Sequence, residues 1–130
     1  MTMKPEPTDG ELEILQLIWK HGPMTVRQIH DYLGEERQTG YTTTLKMMQI
    51  MTDKGLLGRE AQGRSHLYHS VVSEKKTTQS RLDSFLEATF GGSASRMVMQ
   101  LLGSKNTSEE ELARIREVID QYETNKNQKS

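Results

Sequence analysis

The sequence predicts a mainly α fold with one small β-hairpin, and three observations support this. Three segments with apolar residues at helical spacing fill the chain up to Gly55. Two short extended segments follow, separated by Gly63 and Arg64. Helical spacing returns after Ser73 and continues towards the C-terminus. Three helices followed by a hairpin is the order of a winged helix-turn-helix domain, and a C-terminal helical region for dimerisation is expected after it.

Capping residues and glycines set the boundaries of the predicted elements. Thr8 and Glu11 fit a capping box that opens the first helix. A second capping box opens the second helix, which is expected to end near Gly34, before a polar turn over residues 35–40. The third helix is predicted at 41–54 and the strands at 57–62 and 65–72. Two further helices are predicted at 75–90 and 94–102, and the last helix is capped by residues 107–110.

These elements divide the chain into four segments. We expect a flexible arm at residues 1–7 and a winged helix-turn-helix DNA-binding domain at 8–74. A helical dimerisation domain is expected at 75–122 and a polar tail at 123–130. Only 33% of the residues are hydrophobic, which is a thin core for this length, so a partner chain is expected to complete it.

Several classes of function are excluded or left without support by the composition. The chain has no cysteine, which excludes disulfides, zinc–thiolate sites and thiol nucleophiles. His66 and His69 are expected to point to opposite faces of a strand, so we predict no metal site and no cofactor. No catalytic motif is recognisable, which predicts a protein that is not an enzyme. No apolar run is long enough to span a membrane, and a cytoplasmic location without membrane insertion is expected.

The charge is distributed unevenly along the chain, although the formal net charge is only −1. Residues 37–81 carry eight basic and three acidic side chains, a net +5, whereas residues 1–36 are net −4 and residues 82–130 net −2. The positive segment coincides with the third helix and the hairpin, the two elements with which a winged helix meets DNA. Charged segments are commonly just solvated surface, but this coincidence favours DNA binding, because cations there release counterions from phosphates.

The side chains expected to contact DNA lie on the third helix and on the hairpin tip. Thr42 and Thr43 occupy the first turn, where they suit phosphates or base edges, although helix capping explains them equally well. Lys46 suits guanine or a phosphate, and Arg64 at the hairpin tip suits a phosphate or the minor groove. Arg27 is a weaker phosphate candidate, for which a solvated surface charge is the ordinary explanation. The residues expected to point inward from the third helix are Thr44, Leu45, Met48 and Met51.

The C-terminal helices carry apolar stripes that are expected to pair with a second copy of the chain. Short isolated helices are marginal in water, so they need a partner surface. A two-fold dimer would place two recognition helices about 10 base pairs apart, or a multiple of that, on an inverted-repeat operator. A monomer with a C-terminal helical cap is the alternative. The expected dimerisation residues are Leu82, Phe85, Leu86, Met97, Val98, Leu101, Leu112, Ile115 and Ile119.

An ordered set of short motifs resembles the penicillinase-repressor and methicillin-resistance-repressor family, over roughly residues 8–122. The resemblance implies a homodimeric winged-helix repressor of a palindromic operator, controlling β-lactamase or related operons. It also adds Tyr41, which opens the third helix, to the expected DNA contacts. The motifs are Glu11–Leu15, Ile18–Trp19, Tyr41–Leu45, Lys54–Leu57, Arg59, Gly63–Arg64, Tyr68, Phe85–Leu86, Ser95–Val98 and Leu101–Leu102.

The same resemblance implies how repression is relieved. In the best-known members a membrane-bound sensor metalloprotease triggers cleavage in the dimerisation region, and the matching bond here joins Gln100 and Leu101. This pair departs from the Asn-Phe pair of those members, and Ile50 replaces the Arg or Lys usual at its position. Two alternatives stay open: a regulator switched by a small molecule lodged between the two domains, and a protein-interaction module that does not bind DNA.

Overall fold

The computed structural model describes residues 6–37, 40–104 and 107–128. The fold is mainly helical with one antiparallel hairpin, which confirms the predicted fold class. In this part of the chain the elements are α1 (Asp9–His21), α2 (Val26–Arg37), α3 (Tyr41–Asp53), β1 (Leu57–Gln62), β2 (Ser65–Ser70), α4 (Glu74–Phe90), α5 (Ala94–Leu102) and α6 (Glu109–Gln128).

The described residues form two compact units, and the division falls between Leu82 and Asp83, inside α4. In the first unit, the apolar stripes of α1, α2 and α3 pack with the base of the hairpin around one core. The Trp19 indole N–H donates to Ser70 Oγ at 3.0 Å, which ties α1 to the end of β2. The buried core side chains are Ile14, Leu15, Ile18, Met24, Val26, Ile29, Met48, Met51, Leu56, Leu57 and Tyr68.

The hairpin is joined to the helices through Tyr68. Its side chain is only 1% exposed, as its position in the alternating pattern of β2 predicts. Its backbone also pairs with Met24, whose N–H donates to Tyr68 O at 2.9 Å while Tyr68 N–H donates to Met24 O at 2.8 Å. Nothing in the sequence indicates the pairing with Met24, because a single bridging residue produces no periodic pattern.

One predicted helix end is wrong, and the last helix is longer than its apolar stripe. We expected α2 to close near Gly34, but the helix continues to Arg37, so part of the predicted turn is helical. Gly34 does not stop it, and the Glu-Glu-Arg sequence that follows consists of good helix formers. Similarly, α6 continues to Gln128, so most of the expected polar tail is helix. These residues include neither glycine nor proline, so no strong helix breaker stops α6 before Gln128. Residues 129 and 130 lie outside the described part of the chain.

The end of the predicted arm is fastened to the first turns of α4. Pro7 is buried, and its carbonyl accepts a hydrogen bond of 2.6 Å from Arg81 Nη1. Arg81 also pairs with the carboxylate of Asp9, and Ser80 Oγ donates to Glu6 Oε1 at 2.9 Å. Residues 1–5 of the predicted arm lie outside the described residues, and the domain boundary expected after residue 74 stays a prediction.

The second unit buries very little. None of the described side chains of α5 and α6 is buried, although both helices carry apolar stripes. Phe85 and Phe90 contact each other edge to face, with ring centroids 5.9 Å apart, yet Phe85 is 52% exposed. This unit therefore presents apolar side chains to its surroundings. No helix in the described ranges is long and apolar enough to cross a membrane.

Candidate nucleic-acid interface

Helix α3 separates a buried face from an outward face. Gly40 precedes its first turn in an extended conformation, and its carbonyl accepts the N–H groups of Thr43 and Thr44. Thr44, Met48 and Met51 are buried, as predicted for the inward stripe, whereas Leu45 is half-buried. The residues exposed on the opposite side are Thr42, Thr43, Lys46, Gln49 and Ile50.

The threonines of the first turn do not cap α3. The N-cap residue is Gly40, which has no side chain to accept the hydrogen bond, so the capping explanation of Thr42 and Thr43 is wrong. Thr44 instead packs inside, with its hydroxyl 3.2 Å from His30 Nδ1 on α2. Thr42 and Thr43 therefore keep exposed hydroxyls on the outward face of the helix.

Gln49 is a candidate that the sequence reasoning missed. Its side chain is exposed one turn after Lys46 and two turns after Thr42. A glutamine amide donates and accepts at once, which matches N6 and N7 of adenine in the major groove. Its position three residues after Lys46, and so on the same side of the helix, was the sequence signal that could have identified it.

A cleft lies between α2, α3 and the hairpin tip. It has a volume of about 200 Å³. The Arg27 guanidinium carbon lies 4.6 Å from the centroid of the Tyr41 ring, a cation–π distance. The cleft thus brings together Arg27, Tyr41 and Arg64, while Thr42, Thr43 and Lys46 are not among the residues that line it. Its lining residues are Thr25, Val26, Arg27, Tyr41, Leu45, Arg64, Ser65, His66 and Tyr68.

The tight hairpin places Arg64 at the tip. Gln62 pairs with Ser65, so only Gly63 and Arg64 connect the strands. Gly63 has φ of 60°, a conformation that glycine adopts without strain. Arg64 is exposed, and among the described residues neither it nor Lys46 pairs with a carboxylate. These two cations are therefore available for an anionic partner.

The two histidines of β2 diverge. His66 lies opposite Ala61 and His69 opposite Gly58, which places them on opposite faces of the hairpin. His66 is exposed, whereas His69 is half-buried, because its ring packs over Gly58. In the described part of the chain no three His, Asp or Glu side chains are grouped to hold a metal ion.

An ion pair between the half-buried Lys54 and the buried Glu11 holds the C-terminal end of α3. Lys54 Nζ donates to both carboxylate oxygens of Glu11, at 2.7 and 3.0 Å, and Glu11 also accepts the Thr8 N–H at 2.9 Å. Burial alone would raise the pKa of the Glu11 carboxyl. The hydrogen bonds from Lys54 and Thr8 outweigh burial and hold that pKa below its usual value. The pair thereby links the start of α1 to the end of the candidate recognition helix.

The apolar residues of α4, α5 and α6 that are expected at the dimer surface are exposed or half-buried. Leu82, Phe85, Val98, Leu101 and Ile119 are exposed. The other four residues expected at the dimer surface are half-buried: Leu86, Met97, Leu112 and Ile115. The prediction omitted four exposed apolar residues on the same helices: Met99, Leu102, Val118 and Tyr122.

Comparison with known proteins relates this chain to transcriptional repressors. The model of the penicillinase repressor family matches residues 7–121. The penicillinase repressor of Bacillus licheniformis is 25% identical over 122 residues, covering 94% of this chain and 95% of that protein. The methicillin resistance regulatory protein MecI of Mammaliicoccus sciuri is 18% identical over 114 residues, covering 88% of this chain and 93% of that protein.

Structural similarity supports the same assignment. The solution structure of the DNA-binding domain of the repressor BlaI superimposes with a TM-score of 0.51 and 27% sequence identity. The match covers 57% of this chain and 90% of that domain.

Proposed function

Because the chain belongs to the penicillinase repressor family of DNA-binding transcriptional repressors, which are not enzymes, we propose that it represses transcription as a homodimer on an inverted-repeat operator. The regulated genes are of the β-lactamase or cell-envelope stress type, and the names of two relatives, a penicillinase repressor and a methicillin resistance regulatory protein, support the β-lactamase type. Binding to bacterial DNA gives the chain a cytoplasmic location. Family membership favours this function over a protein-interaction module that does not bind DNA.

One observation carries the DNA-binding proposal: α2, α3 and the hairpin tip, all in the first unit, expose basic and hydroxyl side chains. The outward side of α3 carries Thr42, Thr43 and Lys46, and the adjoining cleft carries Arg27 and Arg64. In this proposal Lys46 reaches a base edge or phosphate in the major groove. Arg64 on the hairpin tip and Arg27 at the start of α2 neutralise phosphates to either side. Tyr41 orients Arg27 by lying under its guanidinium.

The test measures DNA affinity with matched lysine and arginine variants. A duplex is first enriched from a random-sequence library by the wild-type chain, and its dissociation constant is measured by fluorescence anisotropy. Lys46→Ala is expected to weaken binding by roughly 1–3 kcal/mol if Lys46 reads a base. Arg64→Ala is expected to lower the slope of log affinity against log salt by about 0.9 for each protomer bound.

The control is Lys126→Ala, which removes an exposed lysine of α6. It is expected to leave both affinity and salt slope unchanged. Unchanged affinity in both Lys46→Ala and Arg64→Ala would contradict the proposed DNA face. An enriched sequence without two-fold symmetry would contradict the proposed inverted repeat.

The exposed apolar side chains of α4, α5 and α6 support a homodimer. An apolar surface of this kind is stable when a second copy buries it, because the transfer from water is favourable. Phe85→Glu is expected to convert the dimer to a monomer in sedimentation equilibrium, since a carboxylate would be buried at the seam. Val71→Glu, which alters an exposed aliphatic residue outside these helices, is the control. A monomeric wild-type chain at micromolar concentration would refute the proposed dimer.

Relief of repression is proposed to follow cleavage between Gln100 and Leu101 by a membrane-bound sensor metalloprotease. Leu101 is 58% exposed and lies in the last turn of α5. Its carbonyl accepts from Ser104 Oγ and Thr107 Oγ1, both at 2.9 Å, so cleavage requires local opening of this turn. Co-expression with the sensor protease should yield fragments ending and starting at this bond in mass spectrometry. An intact chain under inducing conditions would exclude this switch.

A small-molecule switch is the second candidate, and one cavity favours it. The cavity has a volume of about 410 Å³, within the range of ligand sites, and lies beside the first turns of α4. Pro7, Leu56 and Val71 supply apolar walls, and Lys76 and Ser80 supply polar groups. Val71→Trp, which fills the cavity, should then leave the chain permanently repressing in a reporter strain, while a proteolytic switch would still respond.

A further inference from the structure

Ile50 is an exposed aliphatic side chain on the outward side of α3. Its side chain is 43% exposed, whereas Met48 and Met51 beside it in sequence are fully buried. It follows Lys46 by one turn and Thr43 by two turns, so all three share the outward side of the helix. The rise from Thr43 to Ile50 is about 10 Å, which corresponds to roughly three base-pair steps.

An aliphatic group on this side of the helix has one good partner in the major groove. The base edges there present hydrogen-bonding groups, except for the C5-methyl of thymine. An isoleucine lying on a guanine, adenine or cytosine edge would cover a donor or acceptor without replacing its hydrogen bond, which costs free energy. An isoleucine lying on the thymine methyl removes two apolar groups from water together.

We propose that Ile50 is a specificity-determining residue that contacts the C5-methyl group of a thymine in each operator half-site. This inference rests on the proposed DNA-binding function and adds the base that this turn of the helix selects. Gln49, the adjacent exposed side chain, favours the same kind of base pair, because its amide matches the adenine edge. Asp53, one turn further on, exposes a carboxylate that phosphates would repel. Ile50 is therefore the last outward residue of α3 suited to contact DNA.

The experiment combines a protein change and a DNA change that each remove methyl groups. A duplex is enriched from a random-sequence library with the wild-type chain, and each thymine of one half-site is replaced in turn by uracil. Dissociation constants of wild type and Ile50→Ala are measured for each duplex by fluorescence anisotropy. Thr78→Ser is the control, since it also removes a methyl group from an exposed β-branched side chain but lies outside α3.

At one thymine, uracil is expected to weaken wild-type binding about fourfold, the effect of one buried methyl group. The same replacement should leave the affinity of Ile50→Ala unchanged, and Thr78→Ser should behave as wild type. If every uracil has the same effect on wild type and on Ile50→Ala, the inference is overturned, although DNA binding stands. If the wild-type chain enriches no sequence, the proposed function fails, and this inference fails with it.

Discussion

Replacement of Lys54 by methionine tests the ion pair that anchors the end of α3. Lys54→Met keeps an unbranched side chain, one atom shorter, and removes the ammonium, which leaves the Glu11 carboxylate with the Thr8 N–H but without its cation. Hydrogen bonds to a charged group contribute about 1.5–3 kcal/mol. Lys54 is 33% exposed, so water screens part of the interaction, and we expect a loss of about 2 kcal/mol in the free energy of unfolding.

Urea unfolding at fixed protein concentration and neutral pH measures this loss. Trp19 is the only tryptophan of the chain, and its indole bonds to Ser70 and the Val72 carbonyl, so its fluorescence reports on the first unit. Lys46→Met is the matched control, because it makes the same chemical change on the exposed side of the same helix. The control is expected to change stability by less than about 0.5 kcal/mol.

The pH dependence gives the experiment a second outcome. The folded-state pKa of Glu11 is lowered, so the ion pair contributes fully above the unfolded-state pKa of about 4.3. Its contribution is lost as the pH falls through the folded-state value. The difference between wild type and Lys54→Met should therefore be largest at neutral pH and shrink under acidic conditions. A difference that equals the Lys46→Met control, or that does not change with pH, would refute the reasoning.

Three further substitutions test the packing of the first unit. Gly58→Ala should lower the free energy of unfolding by about 1 kcal/mol, because its Cβ would lie 2.5 Å from the His69 ring. In a His69→Ala background the same change should be neutral or stabilising. Equal effects in both backgrounds would contradict this contact. Thr8→Ala should lower the urea midpoint through a loss of about 1 kcal/mol, since it removes the capping bond, and an unchanged midpoint would count against that role. Trp19→Phe, followed by circular dichroism, should cost about 1–2 kcal/mol from the lost indole hydrogen bond, and wild-type stability would show that the bond contributes nothing.

Much of the fold follows from local signals in the sequence. Thr8 and Glu11 form the capping box that their spacing predicts, and Tyr68 points inward as strand alternation requires. Gly34 was misleading because a glycine ends a helix only when the chain after it turns away, and here good helix formers follow it. The sequence pattern therefore fixes the kind of element more securely than its end.

The contacts of the candidate site were less predictable, because they join distant segments. Glu11 and Lys54 are 43 residues apart, and nothing in their local sequence pairs them. The stacking of Arg27 on Tyr41 likewise depends on how α2 packs against α3. Gln49 is different: its position one turn beyond Lys46 was visible in the sequence, and a stricter projection of the helix would have included it.

The stacking of Arg27 on Tyr41 bears on the entropy of recognition. Fixing a free arginine side chain costs up to about 2 kcal/mol in rotamer freedom. Here the guanidinium already rests 4.6 Å from the ring centroid in the free protein, so folding has restricted this side chain before any phosphate arrives. In the proposed complex with DNA, the ring would therefore improve phosphate binding by restricting the arginine side chain rather than by adding charge. That contribution depends on temperature and, unlike the attraction of the cation itself, is insensitive to ionic strength.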